Sequence, residues 1–216
     1  MSRFIKILSV TVLLMSALPA PAQFWRNQNR TTTVSQTVED REDDYTLAGE
    51  IATPEVPEKA SRAVKTYMRQ QAESLNRLGY DVKSTRNGEV LIVAIPTDKL
   101  FAPNDTVLQE AYAQKLLEPF IAYFKTPGRY KLLFAIHTDD TGKESYTERI
   151  ATDRVLSVCN WFEKHVDGVG PLHGFGVGAL DPLVPNTSRE NRAKNRRLEI
   201  FIVPDTELIK NVRLKK

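Results

Sequence analysis

The chain has 216 residues, 41% of them hydrophobic, which suits one ordinary packed domain with extensions. Its 30 basic and 27 acidic residues leave a net charge of +3, and residues 1–22 hold two of the basic residues and no acid, so the rest is close to neutral. That balance does not support a general affinity for nucleic acid or anionic lipid, and one cysteine, Cys159, excludes an intrachain disulfide.

Residues 1–22 read as a secretory signal peptide. Arg3 and Lys6 precede the apolar stretch Ile7 to Leu18, and Ala20-Pro21-Ala22 supplies small residues for cleavage before Gln23. The stretch is shorter than the ~18 residues that cross a bilayer. Gln23 also stands where a lipid-anchored exported protein would carry cysteine. Residues 23–60 have the composition of a flexible tether. Asn, Gln and Thr come first, then the charge run Glu39 to Asp44, then Pro54 and Pro57, too little apolar surface to offset ordering entropy. Phe24 and Trp25 read as ordinary exposed aromatics after the cleavage site, the alternative being that they dock an envelope protein partner or the membrane surface.

Val64, Tyr67, Met68, Gln71, Ala72, Leu75 and Leu78 keep helical spacing, which predicts an amphipathic helix over 61–79 with Gly79 as its stop. Tyr80 to Arg86 and Glu89 to Ile95 are strand-like runs about Asn87-Gly88, a hairpin signal. A second helix is expected from Asp105 as N-cap, burying Leu108, Ala111, Tyr112, Leu116, Phe120 and Phe124, with Pro119 kinking it. Tyr130 to Ile136 is a buried strand, followed by the polar turn His137 to Gly142. The next helix carries Ile150, Arg154, Val158, Phe162 and His165 on one face; a Gly-rich loop and a last strand, Arg197 to Val203, close the pattern. This alternation predicts a compact α/β sandwich, with helices packed on a short mixed sheet.

Arg154 is the unusual residue. On an apolar helical stripe a guanidinium is costly unless it meets a carboxylate, and Asp139 in the turn just upstream is the nearest candidate. An acid and an arginine held side by side can receive a zwitterion, the acid taking its ammonium and the arginine its carboxylate.

His137-Thr138-Asp139-Asp140-Thr141-Gly142, the helix positions Ile150 and Arg154, Gly176-Val177-Gly178 with Pro182, and Asn191 to Glu199 together resemble the OmpA-like C-terminal domain family. Ile95 to Phe101 is similar to that family's opening strand and loop, and the resemblance covers residues 80–204. It implies a periplasmic domain over 80–210 that binds peptidoglycan non-covalently, with 211–216 as a basic tail. It also implies that Asp139 and Arg154 grip the diaminopimelate of the stem peptide. Thr138 and Asp98 fall at neighbouring pocket positions, and Arg196 matches a basic residue close by. Thr147 stands where the family usually has an asparagine, Val155 where it has alanine, and Ala179 where it has glutamate.

Other chemistries fit poorly. Gly174 to Ala179 loosely matches a dinucleotide fingerprint, but no clear strand precedes it and Pro182 forbids a helix directly after; a tight turn is the expected role. His137, His165 and His173 show no metal spacing. His137 is expected to bond to its own loop, and Cys159 to be a small buried hydrophobe. No nucleophile and base are paired, so no enzyme and no cofactor are expected. The basic run Asn191 to Arg197 lacks the interleaved aromatics of a nucleic-acid surface. The sequence thus predicts an exported wall-binding domain in the periplasm, peripherally associated with the outer membrane. The alternative is a periplasmic adaptor that mainly binds a protein partner.

Overall fold

The computed structural model describes residues 54–170 and 172–214. The secretory signal, the tether up to residue 53 and the Phe24-Trp25 pair lie outside the described residues, as do Lys215 and Lys216.

In chain order the elements are α1 (Glu58–Arg77), β1 (Asp81–Thr85), β2 (Val90–Pro96), α2 (Glu110–Phe124), β3 (Tyr130–His137), α3 (Glu144–His165), β4 (His173–Gly178), α4 (Arg189–Asn195), β5 (Arg197–Pro204) and α5 (Thr206–Leu214). The five strands form one mixed sheet in the order β1-β2-β5-β3-β4. All neighbours are antiparallel except β3 and β4, which are parallel and joined through α3. The near-continuous apolar runs of β2, β3 and β5 occupy the middle, as strands buried on both faces do.

Helix α1 is part of the core rather than a lead-in: Ala60, Val64, Met68 and Leu75 are buried in it. Gly79, at φ 88°, ends the helix in the left-handed region, and the Tyr80 amide returns to the Leu75 carbonyl. Between β1 and β2, Asn87 (φ 54°) and Gly88 (φ 91°) make the expected tight reversal. Helix α5 runs through the start of the stretch assigned to the basic tail, and Leu208 is buried against the core.

Helix α2 departs from expectation in two ways. It begins at Glu110, five residues after Asp105. Asp105 does cap, accepting from the amides of Thr106 and Val107, but it caps a turn. The carbonyls of Ala102, Asp105 and Thr106 are taken by Arg154 and Ser157 of α3, which holds the loop outside any helix. The fully buried face is Ala113, Leu117, Phe120 and Tyr123, with Leu108, Leu116 and Phe124 partly buried against the core and Tyr112 exposed. The helix also continues through Pro119. The Tyr80 hydroxyl donates to the Leu116 carbonyl, supplying a donor one turn ahead of the ring that disrupts the ladder.

The glycine-rich stretch is strand β4, not a loop with a tight turn. Its glycines let α3 lie directly on the strand. A Cβ at Gly174 would meet Val155 and Cys159, at Gly176 the backbone of Thr152, and at Gly178 the backbone of Glu148. Glycine has low strand propensity, so pattern alone hides this strand.

Cys159 is buried beneath this contact, and burial pushes its thiol up to about 12. The thiolate is thus scarce at neutral pH. Alkylation of native protein by iodoacetamide at pH 8 is expected to proceed only as fast as the domain opens, which a denaturant series followed by mass spectrometry would measure.

Candidate functional site

The site forms where the C-terminal end of β3 meets the loop after β2, the middle of α3 and the α4–β5 junction. Thr138 and Asp139 leave β3, and the Thr138 amide bonds the Gly178 carbonyl of β4, which fixes the turn to the sheet. Asp139 then accepts the Thr141 amide at 2.9 Å, closing an Asx turn.

Arg196 joins two distant acids. Its Nη1 donates to Asp139 Oδ2 at 2.6 Å, while Nε and Nη2 fork onto Asp98 at 2.9 and 2.8 Å. Asp98 and Arg196 lie on adjacent turns of backbone, since the Thr97 amide bonds the Arg196 carbonyl. Burial alone would raise the Asp139 carboxyl, but hydrogen bonds from Arg196 and Thr141 and the guanidinium charge outweigh it and hold the group below its ordinary value. For Arg196 the Asp98 hydrogen bonds come first and strengthen its charged form.

The sign of the pH effect follows. Ionised Asp139 contributes stability that is complete above the ordinary carboxyl value of 3.8 and is lost as pH falls through the lower folded-state value. Asp139→Asn is therefore expected to melt below wild type at pH 7, and the gap should close as pH falls below the ordinary carboxyl value. Thermal melts of both proteins as the pH is lowered measure it.

Arg154 does not pair with Asp139. Its guanidinium is buried (6% exposed) and is satisfied by backbone: Nε donates to the Asp105 carbonyl at 2.8 Å and Nη2 to that of Ala102 at 3.3 Å. The Phe101 ring lies under it, 4.9 Å from the guanidinium carbon to the centroid. Among the described residues no carboxylate hydrogen-bonds it, and Nη1 makes no hydrogen bond. Arg154 thus keeps a positive charge held by backbone carbonyls, with the Asp98 and Asp105 charges acting on it through space but no carboxylate hydrogen-bonded to it among the described residues. The sequence argument that a carboxylate must offset this arginine missed the carbonyls of the loop before α2, which pattern could not place.

Two further positions differ in character. The Thr138 hydroxyl is buried without a hydrogen-bond partner among the described residues. The Thr147 hydroxyl instead returns to the Glu144 carbonyl within α3 at 2.8 Å. Beside the turn opens a cavity of about 340 Å³ lined by Gly142, Lys143, Ser145, Tyr146 and Arg149. The Tyr146 hydroxyl donates to Asn104 Oδ1 at 3.1 Å.

Beneath Asp139, His137 is fully buried. Its ring nitrogens face Glu199 at 3.5 Å and Asp181 at 3.9 Å. Burial lowers its pKa first, and the charge of Arg197 adds to that. Arg197 in turn bonds Glu199 at 2.7 Å. Asn195, also buried, clamps the loop before α4 by bonding both the amide and carbonyl of Val184. Among the described residues no cluster of His, Cys, Asp or Glu has the makings of a metal site.

This α/β sandwich, with an acid turn and an ordered arginine at one strand end, has similar counterparts among known proteins. No protein-family model matches the chain. Over 126 residues it is 26% identical to YiaD of Escherichia coli (strain K12), a probable lipoprotein, covering 58% of this chain and 57% of YiaD. It is 36% identical over 69 residues to outer membrane protein A of Bordetella avium, 31% of this chain and 34% of that protein. It is 30% identical over 66 residues to the peptidoglycan-binding protein ArfA of Mycobacterium tuberculosis, 31% and 20% of the two chains. The chain therefore spans between a fifth and somewhat over half of these relatives' lengths. Among solved structures, a MotB-like protein from Desulfovibrio vulgaris superposes with a TM-score of 0.57 at 26% identity, over 66% of this chain and 98% of that one. Over these stretches the chain is thus similar to an outer membrane protein A, to a peptidoglycan-binding protein and, in fold, to a MotB-like protein.

Proposed function

We propose that the domain binds peptidoglycan non-covalently and anchors an envelope component to the cell wall. It does so by clamping the diaminopimelate of the stem peptide. The ligand's carboxylate meets Arg154, whose planar fork is pre-set by two carbonyls and the Phe101 ring. Its ammonium meets Asp139, which keeps acceptor sites beyond those used by Arg196 and Thr141. Thr138 supplies a further hydrogen bond, while Asp98 and Arg196 hold Asp139 in place. Thr147 acts through the start of α3 rather than on the ligand.

The observation that carries this reading is the buried guanidinium of Arg154, oriented by carbonyls with no carboxylate hydrogen-bonded to it among the described residues. A charge in that state is stabilised further when an anion arrives. The name of ArfA supports the ligand class. The reading assigns no catalytic step, no metal and no cofactor. It places the protein in the periplasm, with its N-terminal segment reaching toward the outer membrane or a partner there.

Co-sedimentation with isolated sacculi tests it. Wild type is expected in the pellet, and Asp139→Ala and Arg154→Ala in the supernatant. Equal pelleting of all three would overturn the site, and wild type left in the supernatant would favour the adaptor instead. Release of soluble muropeptides would revive an enzyme.

A further inference from the structure

The clamp uses one acid and one arginine, and the cavity beside it carries two further cations. Lys143 and Arg149 line that cavity with Gly142, Ser145 and Tyr146. Ser145, Tyr146 and Arg149 stand three, four and seven residues on from Gly142, which sets them on one stripe of α3. The Tyr146 ring touches both ends of that stripe. A Cβ at Gly142 would lie 3.3 Å from it, and the Arg149 guanidinium carbon lies 5.8 Å from its centroid. Lys143 and Arg149 are exposed, and neither meets a carboxylate among the described residues. Glu144 and Glu148, their neighbours in sequence, do not line the cavity. The cavity also adjoins both halves of the clamp. Gly142 follows Thr141, whose amide bonds Asp139, and the Tyr146 hydroxyl bonds Asn104 in the loop whose carbonyls hold Arg154.

We infer that this cavity takes a second carboxylate of the same stem peptide, and that Lys143 and Arg149 determine specificity for it. The inference rests on the wall-binding reading. A stem peptide offers two such groups besides the one at the diaminopimelate side-chain end. The glutamyl residue before diaminopimelate is joined through its side chain, which leaves its α-carboxylate free, and the last residue ends in another. A guanidinium holds a carboxylate by two parallel hydrogen bonds, and an ammonium holds it as a point charge. Contact with the Tyr146 ring restricts the guanidinium before the ligand arrives, so less side-chain freedom is lost on binding. Amidation of the ligand removes the charge and turns one acceptor into a donor, setting N–H groups against N–H groups. The amidation state of the wall thereby sets how tightly the domain holds it.

Isothermal titration of full-length protein with three muropeptides tests this: the free acid, its glutamyl α-amide and its C-terminal amide. Wild type is expected to bind at least one amide roughly 3- to 30-fold more weakly than the free acid, as the loss of two exposed charge pairs implies. The amide that loses affinity identifies the carboxylate. Lys143→Met combined with Arg149→Met should bind all three within a factor of two of one another, with its melting temperature unchanged. Arg154→Met should weaken all three and keep their ratio. Equal binding of the three by wild type would overturn this inference and leave the clamp standing. So would a double variant that still discriminates. Wild type that binds none of them would overturn the wall-binding reading, and this inference with it.

Discussion

Arg154→Met is expected to weaken binding of a diaminopimelate-bearing muropeptide by roughly 10- to 150-fold, the equivalent of losing a charge-assisted hydrogen-bonded contact of ~1.5–3 kcal/mol. Methionine keeps the apolar bulk on the helix face but supplies no donor. Arg154→Lys should recover little. An ammonium cannot satisfy the Asp105 and Ala102 carbonyls, stack on Phe101 and present a two-pronged donor at once. Both variants also leave loop carbonyls unpaired, so they should melt lower than wild type. Isothermal titration at a temperature where each variant is folded separates the two effects. Binding by Arg154→Met within a factor of two of wild type would remove Arg154 from the site.

Gly176→Ala is expected to be the most damaging single-methyl change in the domain. The added Cβ would lie 2.5 Å from the Thr152 nitrogen and 2.6 Å from its Cα, so relief requires α3 to shift as a body. Backbone cannot yield as a flexible side chain does, and overpacking of this kind costs ~3 kcal/mol or more. For a chain of this size that lowers the melting temperature by roughly 6–12 °C. Gly170→Ala serves as the control, since its Cβ would meet nothing within 4 Å and its φ is ordinary. It should change stability by no more than ~0.5 kcal/mol. Thr152 lies two residues before Arg154, so displacement of α3 should also weaken ligand binding. Urea denaturation of the three proteins measures the stability claim; equal midpoints for Gly176→Ala and wild type would refute it.

What the sequence could reveal depended on whether each element's cause was local. The runs Val90 to Pro96, Tyr130 to His137 and Arg197 to Pro204 are apolar enough to announce central strands, and Gly79 announces the end of α1. The stripe that placed Arg154 on the inner face of α3 was equally local. Strand β4 was hidden because its glycines answer a helix some twenty residues upstream, a demand invisible in strand propensity. The start of α2 was misplaced for a similar reason. Asp105 looks like a cap, but Arg154 and Ser157 claim the carbonyls around it from about fifty residues away.

The site divides the same way. The acid turn and the arginine could be picked out, and the family resemblance joined them. Their partners could not be derived from pattern. Arg196 reaches Asp98 across 98 residues of sequence, and only the pairing of β2 with β5 makes them neighbours. The expected meeting of Asp139 with Arg154 gave way to two separate arrangements, Asp139 held by Arg196 and Arg154 held by carbonyls. That separation suits a clamp better than a closed ion pair would. An Asp139–Arg154 pair would have to be pulled apart before a zwitterion could enter, whereas here Arg154 is held by carbonyls and Asp139 keeps acceptor sites beside its Arg196 contact.

The most direct test uses two walls that differ at one residue of the stem peptide. Sacculi built on diaminopimelate offer both an ammonium and a carboxylate at the side-chain end, while lysine-type sacculi offer the ammonium alone. Full-length protein is expected to pellet with the first and to stay in the supernatant with the second. Equal pelleting with both walls would contradict the clamp, because Arg154 would then have no carboxylate to hold.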